Sequence, residues 1–200
     1  MIIGANPNVT HLELFNNYDK HPVGGNLSKI FGYVPSNSPL KLEHLGLSDN
    51  FSDAAAIASH ARSLRSIHLC GSRILSVMYA ECIFPPIIET SCVDGHTIGY
   101  LNHHPQIVGL SIYGSYYYLE GTAILEIMAR HSESLKYFNT SSSGFFPSLR
   151  AQTVPLLLRC TKLEQLRIWY GHDHDYCSPS DHGNLVSRRG RVLLLLRSIL

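Results

Sequence analysis

The densest set of side chains that could do chemistry lies near the carboxyl end of the chain. Seven side chains there are able to ligate a metal ion: His172, Asp173, His174, Asp175, Cys177, Asp181 and His182. Imidazole nitrogens with a thiolate are zinc ligands. Their spacing does not match the usual C-x-x-C or H-x-x-x-H frames, and the segment is rich in Gly, Pro and Ser. We therefore predict a polar loop and no metal, with a zinc site as the alternative.

Other patterns that support catalysis are absent from the sequence. His103 and His104 are adjacent, and neighbours in sequence rarely converge on one ligand. The chain has no Gly-x-Ser-x-Gly, no phosphate-binding loop and no Gly-x-Gly-x-x-Gly following a strand. We predict that the protein is not an enzyme and needs no cofactor. An α/β hydrolase or a metal-dependent enzyme stays open as an alternative.

Composition narrows the class of partner. Hydrophobic residues make up 44% of the 200 residues and charged residues 16%, with a formal net charge of +1. Such a balance lacks the basic footprint expected for binding nucleic acid or an anionic membrane. The apolar run Val192 to Leu196 is far too short to cross a bilayer. The five cysteines are an odd number without paired spacing, which favours reduced thiols and a cytoplasmic or nuclear protein.

A short phrase recurs along the chain and indicates what must position any functional side chain. Residues 41–47 (KLEHLGL) and 162–168 (KLEQLRI) share the pattern apolar-x-x-apolar-x-apolar. This is the strand phrase of a leucine-rich repeat. The phrases start at 9, 42, 64, 87, 107, 135 and 163, the copy at 135 being weaker and the one at 87 degenerate. A small or polar residue, suited to a turn, lies eight residues after each of the five strict starts: Asn17, Asn50, Ser72, Ser115 and Gly171.

The alternation of these phrases with helical segments predicts an α/β fold. We expect a leucine-rich-repeat solenoid, a ribonuclease-inhibitor-like horseshoe segment with a parallel sheet on its concave face and helices on its convex face. Helices are predicted at 52–62, 120–133 and 148–160, the last shortened or kinked by Pro155. The alternative is an ordinary α/β domain.

The predicted boundaries follow from the spacing of the phrases. Residues 1–200 form one irregular repeat domain, with a loop insertion at 18–40 and a tail at 172–200. We expect the chain to be a fragment of a longer repeat protein, because the first repeat begins within ten residues of Met1 without a capping segment.

Strand geometry assigns each side of the sheet. The first, fourth and sixth positions of each phrase point into the core, and the third, fifth and seventh face the opposite side. The predicted core residues are Leu45, Leu47, Ile67, Leu69, Leu110, Ile112, Leu166 and Ile168. At the degenerate phrase, Ser91 and Val93 take the fifth and seventh positions. Tyr, Trp and Arg are enriched in binding hot spots. The predicted partner-binding residues are Phe15, His68, Tyr113, Asn139, Arg167, Trp169 and Tyr170. For Trp169 the alternative is packing under the carboxyl-terminal loop.

The segments 40–50 (LKLEHLGLSDN) and 160–171 (CTKLEQLRIWYG) resemble the repeat region of leucine-rich-repeat F-box-like proteins of mushroom-forming fungi. The resemblance covers roughly residues 7 to 171. It implies a protein-interaction scaffold that recruits a substrate to a ubiquitin ligase. No F-box-like Leu-Pro-x-Glu segment precedes the first repeat, so a ligase adaptor is expected as a partner only if an F-box lies upstream of this chain. A truncated or degenerate repeat protein with no partner is the alternative.

Overall fold

The computed structural model describes residues 8–14, 26–31, 40–48, 55–58, 60–70, 73–91, 93–113, 118–141, 152 and 155–169. The chain divides into two compact units, Met1–Cys92 and Val93–Leu200. The segment of possible metal ligands at residues 172–182 lies outside the described residues.

Strands and helices alternate within each unit. The first unit contains β1 (His11–Leu14), α1 (Leu27–Phe31), β2 (His44–Ser48), α2 (Ala55–Ala58), β3 (Ser66–Cys70), α3 (Arg73–Ala80) and β4 (Ile87–Thr90). The second contains α4 (Gly95–His103), β5 (Gly109–Ile112), α5 (Tyr118–Arg130), β6 (Tyr137–Ser141) and β7 (Gln165–Trp169). Gln152 and residues 155–159 are also helical.

Every described strand pairing is parallel, which confirms an α/β fold built on parallel strands. The strand order follows the chain in each unit, β1-β2-β3-β4 and β5-β6-β7. The registers reproduce the spacing of the sequence phrases. His11 lies opposite His44, His44 lies opposite Ser66, and Tyr137 lies opposite Gln165. A residue at one position of a phrase is therefore beside the residue at the same position of the next phrase.

One backbone arrangement repeats at the start of the strands. The carbonyl of Thr10, the second residue of its phrase, accepts hydrogen bonds from the N–H groups of Glu43 (2.8 Å) and His44 (3.0 Å). The same pair of bonds is accepted by the second-position carbonyls of Glu43, Val108 and Lys136. At Arg65 the carbonyl accepts from Ile87 alone, because Pro86 has no N–H. Successive phrases are thus structurally equivalent down to individual backbone bonds.

The degenerate fourth phrase begins two residues earlier than the sequence predicts. Ile67 is paired with Ile88, and Leu69 with Thr90, so the first position belongs to Pro85 and not to Ile87. Ile87 is 37% exposed, whereas Ile88 is fully buried. The shift keeps the same faces of the strand but places an isoleucine, not Thr90, at the fourth position. Burial of that apolar side chain stabilises the observed register.

The predicted core is confirmed wherever the structure describes it. Seven of the eight predicted residues are buried, from Leu45 to Leu166, and the side chain of Ile168 lies outside the described part. Phe138 and Leu135 add to the core of the second unit. The predicted fourth- and sixth-position residues that the structure describes are therefore buried in both units, and β5 is buried along its whole length.

Within the predicted loop insertion at 18–40, the structure describes a short helix, α1. Leu27 and Phe31 of α1 are both buried. They are four residues apart and so share one face of the helix. Asn26 accepts a hydrogen bond from the Lys29 N–H at 3.0 Å and caps the first turn. Part of the insertion thus belongs to the core.

The other helices agree with the sequence in kind and differ in their ends. The predicted helix 120–133 is α5, and the described parts of the predicted helices 52–62 and 148–160 include α2 and residues 155–159. Local capping fixes the ends of α3 and α4. Asp94 accepts hydrogen bonds from the N–H and hydroxyl of Thr97 at the start of α4. None of the described helices combines the length and apolar character needed to cross a membrane.

Candidate functional site

The third and fifth positions of the phrases form one side of each sheet, which we call the outward face. These residues alternate with the buried fourth and sixth positions, so their side chains lie on the opposite side from the core. In the first unit this face carries His11, Glu13, His44, Ser66, His68 and Glu89. In the second unit it carries Ser111, Tyr137, Asn139, Gln165 and Arg167.

The outward face of the first unit is organised around His44. Its Nδ1 lies 2.7 Å from the Ser66 hydroxyl oxygen, and its Nε2 lies 3.1 Å from a carboxylate oxygen of Glu13. The His11 ring stacks on it with a centroid distance of 5.8 Å. A neutral imidazole with its proton on Nε2 donates to Glu13 and accepts from Ser66, which satisfies both nitrogens. These contacts join three strands through one side chain.

A second imidazole–carboxylate pair lies on the same face. His68 Nε2 is 3.7 Å from a carboxylate oxygen of Glu89. The sequence placed Ser91 and Val93 at the fifth and seventh positions of this phrase. The observed register gives the fifth position to Glu89 and the seventh to Ser91, while Val93 is buried. Glu89 is therefore a face residue that the sequence reasoning missed.

The outward face of the second unit has a row of polar groups across its three strands. Asn139 on β6 donates from Nδ2 to the Ser111 hydroxyl oxygen on β5, at 2.8 Å. On its other side Asn139 pairs in register with Arg167 on β7. Its Oδ1 atom is buried and has no hydrogen-bond partner among the residues that the structure describes. A buried acceptor without a donor is costly, and such groups are uncommon in folded proteins. Within the described residues, Asn139 Oδ1 is thus the atom of this row that lacks a hydrogen bond.

Neighbouring side chains hold the guanidinium in this row. When the Gln165 amide is oriented with its oxygen toward Arg167, that oxygen accepts from Nε and Nη2 of the guanidinium. Arg167 carries the only formal charge among the third- and fifth-position residues described in this unit. Nearby, Lys136 and Glu164 form an ion pair at 3.1 Å, and the Tyr137 hydroxyl donates to Glu164 at 3.4 Å. The guanidinium is thus oriented by an uncharged neighbour.

The structure places the sequence-predicted site residues in both units. His68 belongs to β3 of the first unit. Asn139 and Arg167 are register partners, and Tyr113 is half-buried just after β5. Trp169 ends β7, and its side chain lies outside the described part. Phe15 and Tyr170 also lie outside the described residues.

Several residues of the outward faces were not among the predicted site residues. They are His11, Glu13, His44, Ser66, Glu89, Ser111, Tyr137 and Gln165. The alternation of the phrases already assigned these positions, apart from Glu89, to the outward side. The contacts of His44 with Ser66 and Glu13 depend on strand pairing across 22 and 31 residues, which no local pattern specifies.

Side chains capable of metal binding do not converge in the described ranges. No group of three or more His, Cys, Asp or Glu is arranged there to hold a metal ion. Cys82 is a free, exposed thiol, and Cys160 is a free, buried one. Burial raises the pKa of the Cys160 thiol to about 11. Its Sγ donates to the Leu156 carbonyl, so this cysteine is inert.

Comparison of this chain with protein-family models, with curated proteins and with solved structures finds no match.

Proposed function

We propose that this chain is a leucine-rich-repeat domain that binds a protein partner on the outward face of its parallel strands. The observation that supports this proposal most directly is the register in which neighbouring strands pair. Each phrase contributes one strand, and equivalent positions of successive phrases lie side by side. Repetition of this kind builds a continuous surface from short segments that are separated in sequence, and repeat proteins use such surfaces for binding. A substrate-recruiting role, as in F-box receptors of ubiquitin ligases, is the form of this function that the sequence resemblance favours.

The polar row of the second unit supports a specific chemistry for the contact. Arg167 offers a planar guanidinium, which suits a carboxylate because it can donate two parallel hydrogen bonds. Asn139 lies beside it in register, but its Oδ1 atom is buried, so the guanidinium is the group of this pair that a partner reaches. The partner therefore presents a carboxylate to Arg167.

Aromatic positions flank this row and add apolar contact area. Tyr113 occupies the seventh position after β5, and Trp169 occupies the seventh position at the end of β7. Aromatic side chains combine a large contact area with a polar atom, which is why they are enriched in hot spots. The proposed contact is centred on Tyr113, Asn139, Arg167 and Trp169.

The test compares variants of opposite sides of the molecule. Wild-type protein captures partners from an extract of its native cells, and affinities for the recovered partner are then measured with purified proteins. We expect Arg167→Ala and Trp169→Ala each to weaken binding by more than about 1 kcal/mol, roughly fivefold or more. Glu126→Ala changes an exposed residue of α5 and should leave affinity unchanged.

A further variant tests the chemistry of the row. Asn139→Asp keeps the shape of the side chain but places a negative charge next to Arg167, where the partner's carboxylate is proposed to bind. We expect it to weaken binding at least as much as Arg167→Ala. Wild-type affinity in a folded Arg167→Ala/Trp169→Ala double variant would show that binding uses another surface.

A further inference from the structure

Two turns of the chain share the pattern His-x-x-Ser-Leu, one in each unit. They span residues 60–64 and 131–135. In both, the leucine is the first position of a strand phrase, that of β3 or of β6. The pattern therefore marks the same place in two repeats, the turn that leads from a helix into the next strand.

The two serines make the same hydrogen bond. Ser63 Oγ donates to the Leu42 carbonyl at 2.8 Å, and Ser134 Oγ donates to the Ile107 carbonyl at 2.7 Å. Leu42 and Ile107 are the first positions of the preceding phrases. Each serine thus ties its turn to the repeat before it.

The two histidines make a second tie beside each serine. His60 is 6% exposed, and its Nδ1 accepts the N–H of Leu40 at 3.2 Å. His131 is 4% exposed, and its Nδ1 accepts the N–H of Ile107 at 3.3 Å. The Nε2 of His131 lies 3.5 Å from the Leu101 carbonyl, toward which it can donate. The ring of His60 stacks on Phe31, with centroids 5.0 Å apart.

We propose that His60 and His131 are acid-sensitive locks, which hold each turn on the preceding repeat while neutral and release it when protonated. The reason is geometric. A ring nitrogen that accepts a backbone N–H has no room for a proton, because the two N–H groups would then point at each other. Protonation thus breaks the tie, places a cation in a buried position and leaves the backbone N–H without its acceptor.

The surroundings of both rings oppose protonation. Burial lowers the pKa of His60 and that of His131 from the ordinary value of 6.5. For His131 the hydrogen bond to the Leu101 carbonyl acts in the opposite direction and the charge of Arg130 in the same direction, and the pKa remains lowered. Neither imidazole is paired with a carboxylate among the described residues.

The charged and titratable groups near the two rings are few. His104 faces His131 from the end of α4, with the rings edge-on at 6.3 Å, and Tyr100 packs edge-on against His104. Arg130 precedes it on α5, and the exposed Glu133 follows it in the turn. The charged residues nearest to His60 and its partners along the chain are Lys29, Lys41 and Arg62, all exposed cations. These cations add no stabilisation to a protonated ring.

The direction of the pH effect follows from the lowered pKa values. Below about pH 6.5 the unfolded chain binds a proton at each histidine that the folded chain does not, so stability falls as the pH falls. The loss continues until the pH passes the folded-state pKa. Each lock then raises the unfolding constant of its unit by up to about tenfold per pH unit, the limit for one proton.

The experiment replaces each lock by a side chain that accepts but does not titrate. Asparagine places Oδ1 close to the position of Nδ1, so His60→Asn and His131→Asn keep an acceptor for the backbone N–H. Unfolding constants of the full chain are measured by denaturant titration between pH 7.5 and pH 5. We expect the variants to lose part of the acid sensitivity of the wild type, by up to about tenfold per pH unit per lock.

A matched control and a direct measurement complete the design. His103→Asn changes an exposed histidine whose Nδ1 bonds to the Gly99 carbonyl within α4, and it should retain the wild-type pH dependence. In the wild type, NMR titration of the ring resonances should show both histidines titrating below pH 6.5, and in the neutral form each ring should carry its proton on Nε2. Folded Asn variants with the full acid sensitivity would overturn the proposal. So would ring resonances that titrate at or above pH 6.5 in the folded protein, a result obtainable even if the variants do not fold.

Discussion

Two leucines at the same repeat position should differ in their contribution to stability, because they differ in burial. Leu12 on β1 and Leu45 on β2 are register partners at the fourth position of their phrases. Leu45 is fully buried, with 0% exposure, whereas Leu12 is half-buried. In the described part of the first unit β1 pairs with β2 alone, so Leu12 has a neighbouring strand on one side only. Replacing each leucine by alanine removes the same atoms from two positions that differ in burial.

The magnitudes follow from what each truncation removes. Leu45→Ala removes the equivalent of three methylene groups, about 2.4 kcal/mol at 0.8 kcal/mol each. The surrounding core cannot close fully over the gap, which brings the expected loss in unfolding free energy to about 3–5 kcal/mol. Leu12→Ala loses only part of the transfer free energy and leaves an open depression, not a closed cavity. We expect about 1–2 kcal/mol for Leu12→Ala.

The measurement is urea denaturation followed by far-ultraviolet circular dichroism at neutral pH. Lys41→Ala, which changes an exposed residue beside β2, serves as the control and should alter stability by less than about 0.5 kcal/mol. Equal losses for Leu12→Ala and Leu45→Ala would refute the reasoning, because β1 would then be covered as completely as β2.

Three further predictions concern local features. Cys82 follows α3 and has a positive φ of 54°. Its N–H and that of Ile83 bond back to the carbonyls of Tyr79 and Met78, a Schellman arrangement that favours glycine. Cys82→Gly should therefore raise the unfolding free energy by up to about 1 kcal/mol in the same denaturation assay. Asp94→Ala removes the cap of α4 and should cost about 1 kcal/mol, with Asp94→Asn retaining most of the stability; equal losses would argue against capping. An aromatic disulfide reagent at pH 8 should modify the exposed Cys82 rapidly and Cys160 only on unfolding, because burial raises the pKa of the Cys160 thiol to about 11. Rapid reaction of both thiols in the folded protein would contradict the burial of Cys160.

The sequence by itself determined the kind of fold and most of the strand pairing. A strand side chain alternates between two faces, so an apolar residue at the fourth and sixth positions of each phrase dictates which face is buried. Leu45 and Ile67 are paired as the spacing between their phrases requires, and so are Phe138 and Leu166. The local sequence pattern is sufficient to predict this pairing, because burial of apolar surface makes the largest favourable contribution to folding and the apolar residues recur at fixed positions of each phrase.

The tertiary structure decided the points where apolar pattern was degenerate or where contacts are distant in sequence. Ile88, and not Thr90, takes the fourth position of its phrase because burying an isoleucine is worth more, and this places Glu89 beside His68. Leu27 and Phe31 form a buried helical face inside a segment whose glycines and prolines favoured a loop. The proposed histidine locks belong to the same class. The pattern His-x-x-Ser-Leu can be read from the sequence. The backbone N–H and carbonyl groups to which its His and Ser side chains bond lie 20 to 27 residues away, and only strand pairing brings them near.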